Sequence, residues 1–195
     1  MKFANDKNKQ AIQEALAYAR RKQWDKIYVL VDIHDTVIES NYDKENIPNR
    51  FYEFAEDCLR KMSDSPDFCL ILWTCSHMNE IGKYIKLFAD RGIRFDYVNE
   101  NPEVMTQQNG YGCYDSKMFA DVILDDKAGF EPESDWPAIR QFLDDYVPLN
   151  TTFDGKSSVL KKRDVLMGID GRHLELVNNA DMLVYDNDFD YVKIA

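Results

Sequence analysis

A parallel α/β fold is what this sequence predicts, on three observations. Apolar runs at Tyr28-Val29-Leu30-Val31 and at Val122-Ile123-Leu124 each stop at carboxylates, Asp32 and Asp125-Asp126. A third run, Phe68-Cys69-Leu70-Ile71-Leu72-Trp73, stops at Thr74. Runs that are apolar on successive residues belong to strands covered on both faces, as in parallel sheets. Stretches with helical spacing alternate with these runs, which is the pattern of β-α-β units.

The elements follow in order. Residues 8–22 place Ile12, Ala15, Leu16 and Ala19 on one helical face, ahead of a strand at 28–32. Residues 50–62 do the same with Phe51, Phe54, Ala55, Cys58, Leu59 and Met62, ahead of the strand at 68–73. A helix over 78–91 carries Ile81, Tyr84, Ile85, Phe88 and Ala89, and Gly92 is its C-terminal stop. Strands at 95–98 and 120–124 come next, and a helix over 135–146, with Pro137 in its first turn and Ile139, Phe142 and Leu143 inward, closes the α/β part. After Pro148 the character changes. Residues 157–160, 164–168, 173–177, 182–185 and 191–194 read as short strands, with Asp170-Gly171 as a two-residue hairpin turn. The predicted division is therefore 1–148 for the α/β domain and 149–195 for a β-rich C-terminal extension.

Composition narrows the function classes. At 195 residues the chain holds one well-packed domain with an appendage. A formal net charge of −11 excludes general binding to a nucleic-acid backbone, which depends on clustered Lys and Arg; the compact basic runs at 20–22 and 161–163 read as solvated faces. No apolar run reaches membrane-spanning length and the N-terminus has no signal-peptide core, so the expectation is a cytoplasmic protein without membrane contact. The four cysteines, at 58, 69, 75 and 113, lack paired metal spacing and read as reduced thiols.

The chemistry gathers at the strand ends. Ligands of open α/β sheets bind outside the carboxyl ends of the strands. If the strands at 28–32 and 120–124 are central, Asp32, Asp125 and Asp126 share one crevice. Two like charges about 4 Å apart repel by roughly 4 kcal/mol at an effective dielectric near 20, so such a group calls for a cation. Hard oxygen ligands beside a phosphate make Mg²⁺ the first choice. Thr74 precedes a helix, where hydroxyl and backbone N–H groups bind phosphate oxygens, and Lys117 lies a few residues before the strand at 120–124.

The order Asp32, Thr74, Lys117, Asp125-Asp126 resembles the haloacid dehalogenase superfamily of phosphotransferases. Its motifs are a strand-terminal Asp-x-Asp-x-Thr, a strand-terminal Thr or Ser, a Lys, and an acidic pair ending a later strand. The resemblance covers roughly residues 26–146, and the stretches 98–102 and 123–126 look like those of small bacterial or phage hydrolases. It implies a three-layer α/β/α sandwich with a central parallel sheet of Rossmannoid type. It also implies a hydrolase in which Asp32 is nucleophile and metal ligand, Thr74 and Lys117 bind the phosphoryl group, and Asp125 and Asp126 hold Mg²⁺. One departure stands out. His34 occupies the place of the second Asp, the family's acid-base group, and Asp35 that of the usual Gly. An imidazole, with an ordinary pKa near 6.5, keeps the backbone carbonyl for the metal and offers acid-base chemistry of its own.

Two functions follow as expectations. One is a Mg²⁺-dependent phosphatase acting on a phosphorylated small molecule through an aspartyl-phosphate, with His34 as acid-base. The other is a regulatory or binding protein that keeps the fold and uses its β-rich tail for partner contacts. Cap insertions are short at 39–48 and 99–116, which leaves the predicted site uncapped. The tail extends the sheet, covers the site or mediates self-association as a homo-oligomer, and the sequence leaves these three open. A receiver domain also joins acids, Thr and Lys on a parallel sheet, but its acidic pair ends the first strand, the reverse of the order here.

Overall fold

Four parallel strands make the sheet: β1 (Ile27–Val31), β2 (Phe68–Leu72), β3 (Tyr97–Val98) and β4 (Val122–Leu124). They lie in the order β3-β2-β1-β4, so the two most apolar runs are central or next to it. The computed structural model describes residues 6–41, 43, 46–104, 112–114 and 117–149, together with the backbone of 166–167, 173–174, 182–185 and 191–194. Val31 is level with both Leu72 and Leu124, which brings three strand ends to one line. The chain runs outward from β1 through β2 to β3 and then returns to the opposite side of β1 for β4. The gap between β1 and β4 is thus a topological switch point, where crevices form in open α/β sheets.

Helix α1 (Lys7–Lys22) buries Ile12, Leu16 and Ala19, one face at helical spacing. Its last turn carries Arg20, Arg21 and Lys22, whose charges suit the negative end of the helix dipole. Helix α2 (Ala55–Asp64) buries Ala55, Cys58, Leu59 and Met62. It starts later than the stripe from Phe51 suggests, because Phe51 bridges to Ile38 and Phe54 takes a left-handed conformation with φ 66°. Helix α3 (Met78–Asp90) buries Ile81, Tyr84 and Phe88 but leaves Ile85 44% exposed. Gly92, at φ 73°, ends it as anticipated, since only glycine takes that conformation without crowding a Cβ. Helix α4 (Pro132–Asp144) opens at Pro132 rather than at 135, and Pro137 falls inside it, one turn on.

The buried faces of these helices meet one face of the sheet. Val29, Val31, Leu70, Leu72, Val122 and Leu124 pack there with Leu16, Leu59, Met62, Phe88, Trp136 and Ile139. On the opposite face Leu30, Cys69 and Ile71 are covered by Tyr28, Tyr97, Met118 and Ala120, none of them helical. A second helical layer is therefore not found among the described residues. The described residues between β3 and β4 are not helical, and Glu103 ties them to that face by accepting hydrogen bonds from Tyr28, Tyr97 and Lys26. The described part of the chain is an α/β protein with an all-parallel central sheet and four helices.

By contacts the chain divides into units Met1–Leu149 and Asn150–Ala195. In the second unit, β5 (Leu166–Met167) pairs antiparallel with β6 (His173–Leu174), and β7 (Met182–Tyr185) with β8 (Tyr191–Ile194). The strand read at 157–160 and the turn at Asp170-Gly171 lie outside the described residues. None of the described helices is long and apolar enough to cross a membrane.

Candidate active site at the β1–β4 switch point

Asp32 is the first residue beyond β1, and its N–H continues the ladder by donating to the Leu124 carbonyl at 2.9 Å. That bond holds the end of β1 against the end of β4, so Asp32 faces Asp125 and Asp126 across the switch point. Carboxylate oxygens of the three lie within 4.8 Å of one another. Burial pushes the Asp32 carboxyl up to about 6, and the charges of Asp125 and Asp126 add to the rise, while the Ile33 N–H and the Thr36 hydroxyl oppose it. A cation among the three would relieve both the repulsion and the rise.

Thr36 ties the two strand ends together, a role the sequence did not signal beyond its place in the first motif. Fully buried, its Oγ1 accepts from the Asp126 N–H at 2.9 Å and donates to Asp32 Oδ2 at 3.4 Å. Its carbonyl accepts from Trp136 Nε1 at 2.7 Å, which anchors the turn to α4. Asp125 caps the short 3₁₀ turn Asp126–Ala128 by accepting from the Lys127 N–H at 2.7 Å. Asp35 holds the turn after β1. Its φ is 54°, a left-handed conformation that Asp tolerates, and its carboxylate accepts from the N–H and the hydroxyl of Ser40 at 3.0 and 2.9 Å.

Thr74 follows β2 and is nearly buried. Asn99, itself left-handed at φ 54°, locks it in place: its Oδ1 accepts from the Thr74 N–H at 2.8 Å and its Nδ2 donates to the Thr74 carbonyl at 2.7 Å. The hydroxyls of Thr74 and Ser76 lie 2.9 Å apart, and the Ser76 N–H donates to Thr74 Oγ1 at 3.1 Å. The His77 N–H is held by Glu80 at 3.1 Å. Three of the four N–H groups from Thr74 to His77, ahead of α3, are thus already engaged, contrary to the expectation that they serve phosphate. His34 Nε2 lies 2.7 Å from the Tyr84 hydroxyl, and the two rings meet edge to face. Burial, aided by Glu80, pushes the Tyr84 phenol up to about 12, so it stays neutral at ordinary pH.

Asp32, His34, Thr74, Asp125 and Asp126 line one open cavity of about 790 Å³. Lys117 is exposed on the approach to β4 and is not among the lining residues. Lys127 is, along with Trp73, Tyr84 and Asn99. Tyr84 reads in sequence as one more member of an apolar helical stripe, and Asn99 as a loop residue after a strand; neither carries a signal of its place in the site.

Fold and crevice together define the class: a parallel α/β protein with a carboxylate cluster at its switch point. No protein-family model matches the chain, and no curated protein matches it. Among solved structures it is similar to a conserved protein of Bacteroides thetaiotaomicron, with 25% identity over 61% of this chain and 90% of that one and a TM-score of 0.47.

Proposed function

We propose that this chain is a Mg²⁺-dependent phosphohydrolase of the haloacid dehalogenase type, acting on a phosphorylated small molecule through an aspartyl-phosphate on Asp32. The observation that carries the reading is the meeting of Asp32, Asp125 and Asp126 within 4.8 Å at the carboxyl ends of adjacent parallel strands. The finer fold assignment goes with it: a member of the three-layer Rossmannoid sandwiches whose second layer is reduced, over the described residues, to the irregular β3–β4 crossover.

The donor set fits the metal. Asp32, Asp125 and Asp126 offer hard carboxylate oxygens, and the backbone carbonyl of His34 is the fourth protein ligand in this reading. Bound there, Mg²⁺ supplies the positive charge that offsets what builds on phosphoryl oxygens during transfer. The ionised Asp32 carboxylate bonds to phosphorus while the ester oxygen departs and takes up a proton. Water then attacks phosphorus, inorganic phosphate leaves, and the Asp32 carboxylate is restored. His34 passes the proton through Nδ1, because Nε2 is engaged by Tyr84. Thr74, fixed by Asn99, offers its hydroxyl to a phosphoryl oxygen in exchange for Ser76. An open cavity of about 790 Å³ suits small phosphate monoesters.

A panel of phosphate monoesters assayed with and without Mg²⁺ tests the reading. Phosphate release should require Mg²⁺ and vanish in Asp32→Asn; equal release by that variant counts against Asp32 as the nucleophile. If no ester turns over in wild type or in His34→Asp, the non-catalytic reading, with the tail as a partner-binding unit, takes its place.

A further inference from the structure

We propose that Lys127 is the cation that grips the phosphoryl group in this cavity, exchanging its bond to Asp126 for one to phosphate as substrate enters. The inference rests on the phosphohydrolase reading of the site and names a binding residue that the order of motifs does not indicate. Charge is the starting point. Among the described residues that line the cavity, Asp32, Asp35, Asp43, Glu80, Asp125 and Asp126 are acidic, and Lys127 is the single Lys or Arg. A phosphomonoester dianion entering such a cavity is repelled unless cations face it. In the phosphohydrolase reading three of the six acids would be answered by the metal, and a lysine is the common point-charge partner for the phosphate itself.

Lys127 is built for that exchange. Its backbone N–H is fixed on Asp125 Oδ1 at 2.7 Å, so the residue is anchored to the carboxylate cluster at its root. Its side chain is 85% exposed, and Nζ pairs with Asp126 Oδ2. Exposed ion pairs contribute little stability, so this partner is readily given up. Lys127 and a divalent ion at the cluster would also compete for the Asp126 carboxylate. Removing the lysine should therefore weaken phosphoryl binding while leaving Mg²⁺ binding equal or tighter, whereas general damage to the site would weaken both. Lys117, exposed and outside the cavity lining, is the rival for the same role.

The test measures Mg²⁺ affinity by calorimetry, and then the affinity for beryllofluoride, a phosphoryl mimic on carboxylates, at saturating Mg²⁺. Wild type, Lys127→Met, Lys127→Arg and Lys117→Met are compared. Lys127→Met should bind beryllofluoride about tenfold or more weakly, with Mg²⁺ affinity unchanged or raised, and Lys127→Arg should restore most of the loss. Wild-type beryllofluoride affinity in Lys127→Met overturns the inference, as does a loss confined to Lys117→Met or a parallel loss of Mg²⁺ and beryllofluoride in Lys127→Met. A wild type that binds Mg²⁺ and beryllofluoride while Lys127→Met matches it removes Lys127 alone; a wild type that binds neither overturns the phosphohydrolase reading and this inference with it.

Discussion

Replacing Asp32 by Asn should stabilise the metal-free protein at neutral pH, although it removes the residue on which the proposed chemistry depends. The Asp32 carboxyl rises from 3.8 to about 6 on folding, chiefly through burial. Between those values the folded state holds a proton that the unfolded state has released, so stability falls as pH climbs through the window and the penalty is complete above pH 6. The rise corresponds to roughly 3 kcal/mol, trimmed to about 2 kcal/mol by water in an open cavity. Asn keeps an oxygen for Thr36 and carries no charge to bury. In a chelator, thermal unfolding from pH 4 to 7.5 should show the two proteins converging near pH 4 and the variant melting roughly 4–8 °C higher at pH 7. Saturating Mg²⁺ should narrow the gap or reverse it, raising wild type by about 2.7 kcal/mol at a hundredfold excess over its Kd and the variant, with its at least tenfold weaker affinity, by about 1.4 kcal/mol or less. A variant that is less stable than wild type at pH 7 in chelator, or a gap that does not change with pH, refutes the reasoning.

Thr36→Val keeps the shape of a fully buried side chain but removes the acceptor of the Asp126 N–H, so it should cost about 1–3 kcal/mol in denaturant titrations and weaken Mg²⁺ binding; an unchanged Mg²⁺ response would show that Asp126 does not depend on it. Asn99→Ala frees both sides of the Thr74 peptide, and steady-state kinetics should show KM for a phosphate ester raised severalfold with a smaller change in kcat. His34→Asp restores a carboxylate where the superfamily has one and should raise turnover of p-nitrophenyl phosphate, while a fall would mean the imidazole is the better acid-base in this site.

Much of the fold is legible in the sequence because burial on both faces leaves β1 and β2 no polar alternation around Val29 and Leu70, while β4 keeps an apolar run although Ile123 itself is 47% exposed. What periodicity misreads is where tertiary bonds replace regular ones. The strand expected at 95–98 is shortened to Tyr97–Val98 because Asp96 exchanges bonds with Leu70 through its N–H and its carboxylate. Phe54 ends the upstream reach of α2 through a left-handed turn that no apolar stripe reveals. The carboxylates of the site are legible because charge at the end of a buried strand has few structural uses. Thr36, Tyr84 and Asn99 are not, since their function lies in partners 90, 50 and 25 residues away in the chain. Lysines are hardest of all: Lys117 and Lys127 look alike in sequence, and only the turn capped by Asp125 sets one of them at the cavity wall.

The central claim, that Asp32, Asp125 and Asp126 form one Mg²⁺ site, is tested most directly by calorimetric titration of Mg²⁺ into the wild type, Asp32→Asn and Asp125→Asn. The account predicts one ion per chain in the wild type and affinity at least tenfold weaker in each variant, because each loses a charged ligand from a set held within 4.8 Å. Wild-type affinity in both variants, or no binding in any of the three proteins, would contradict it.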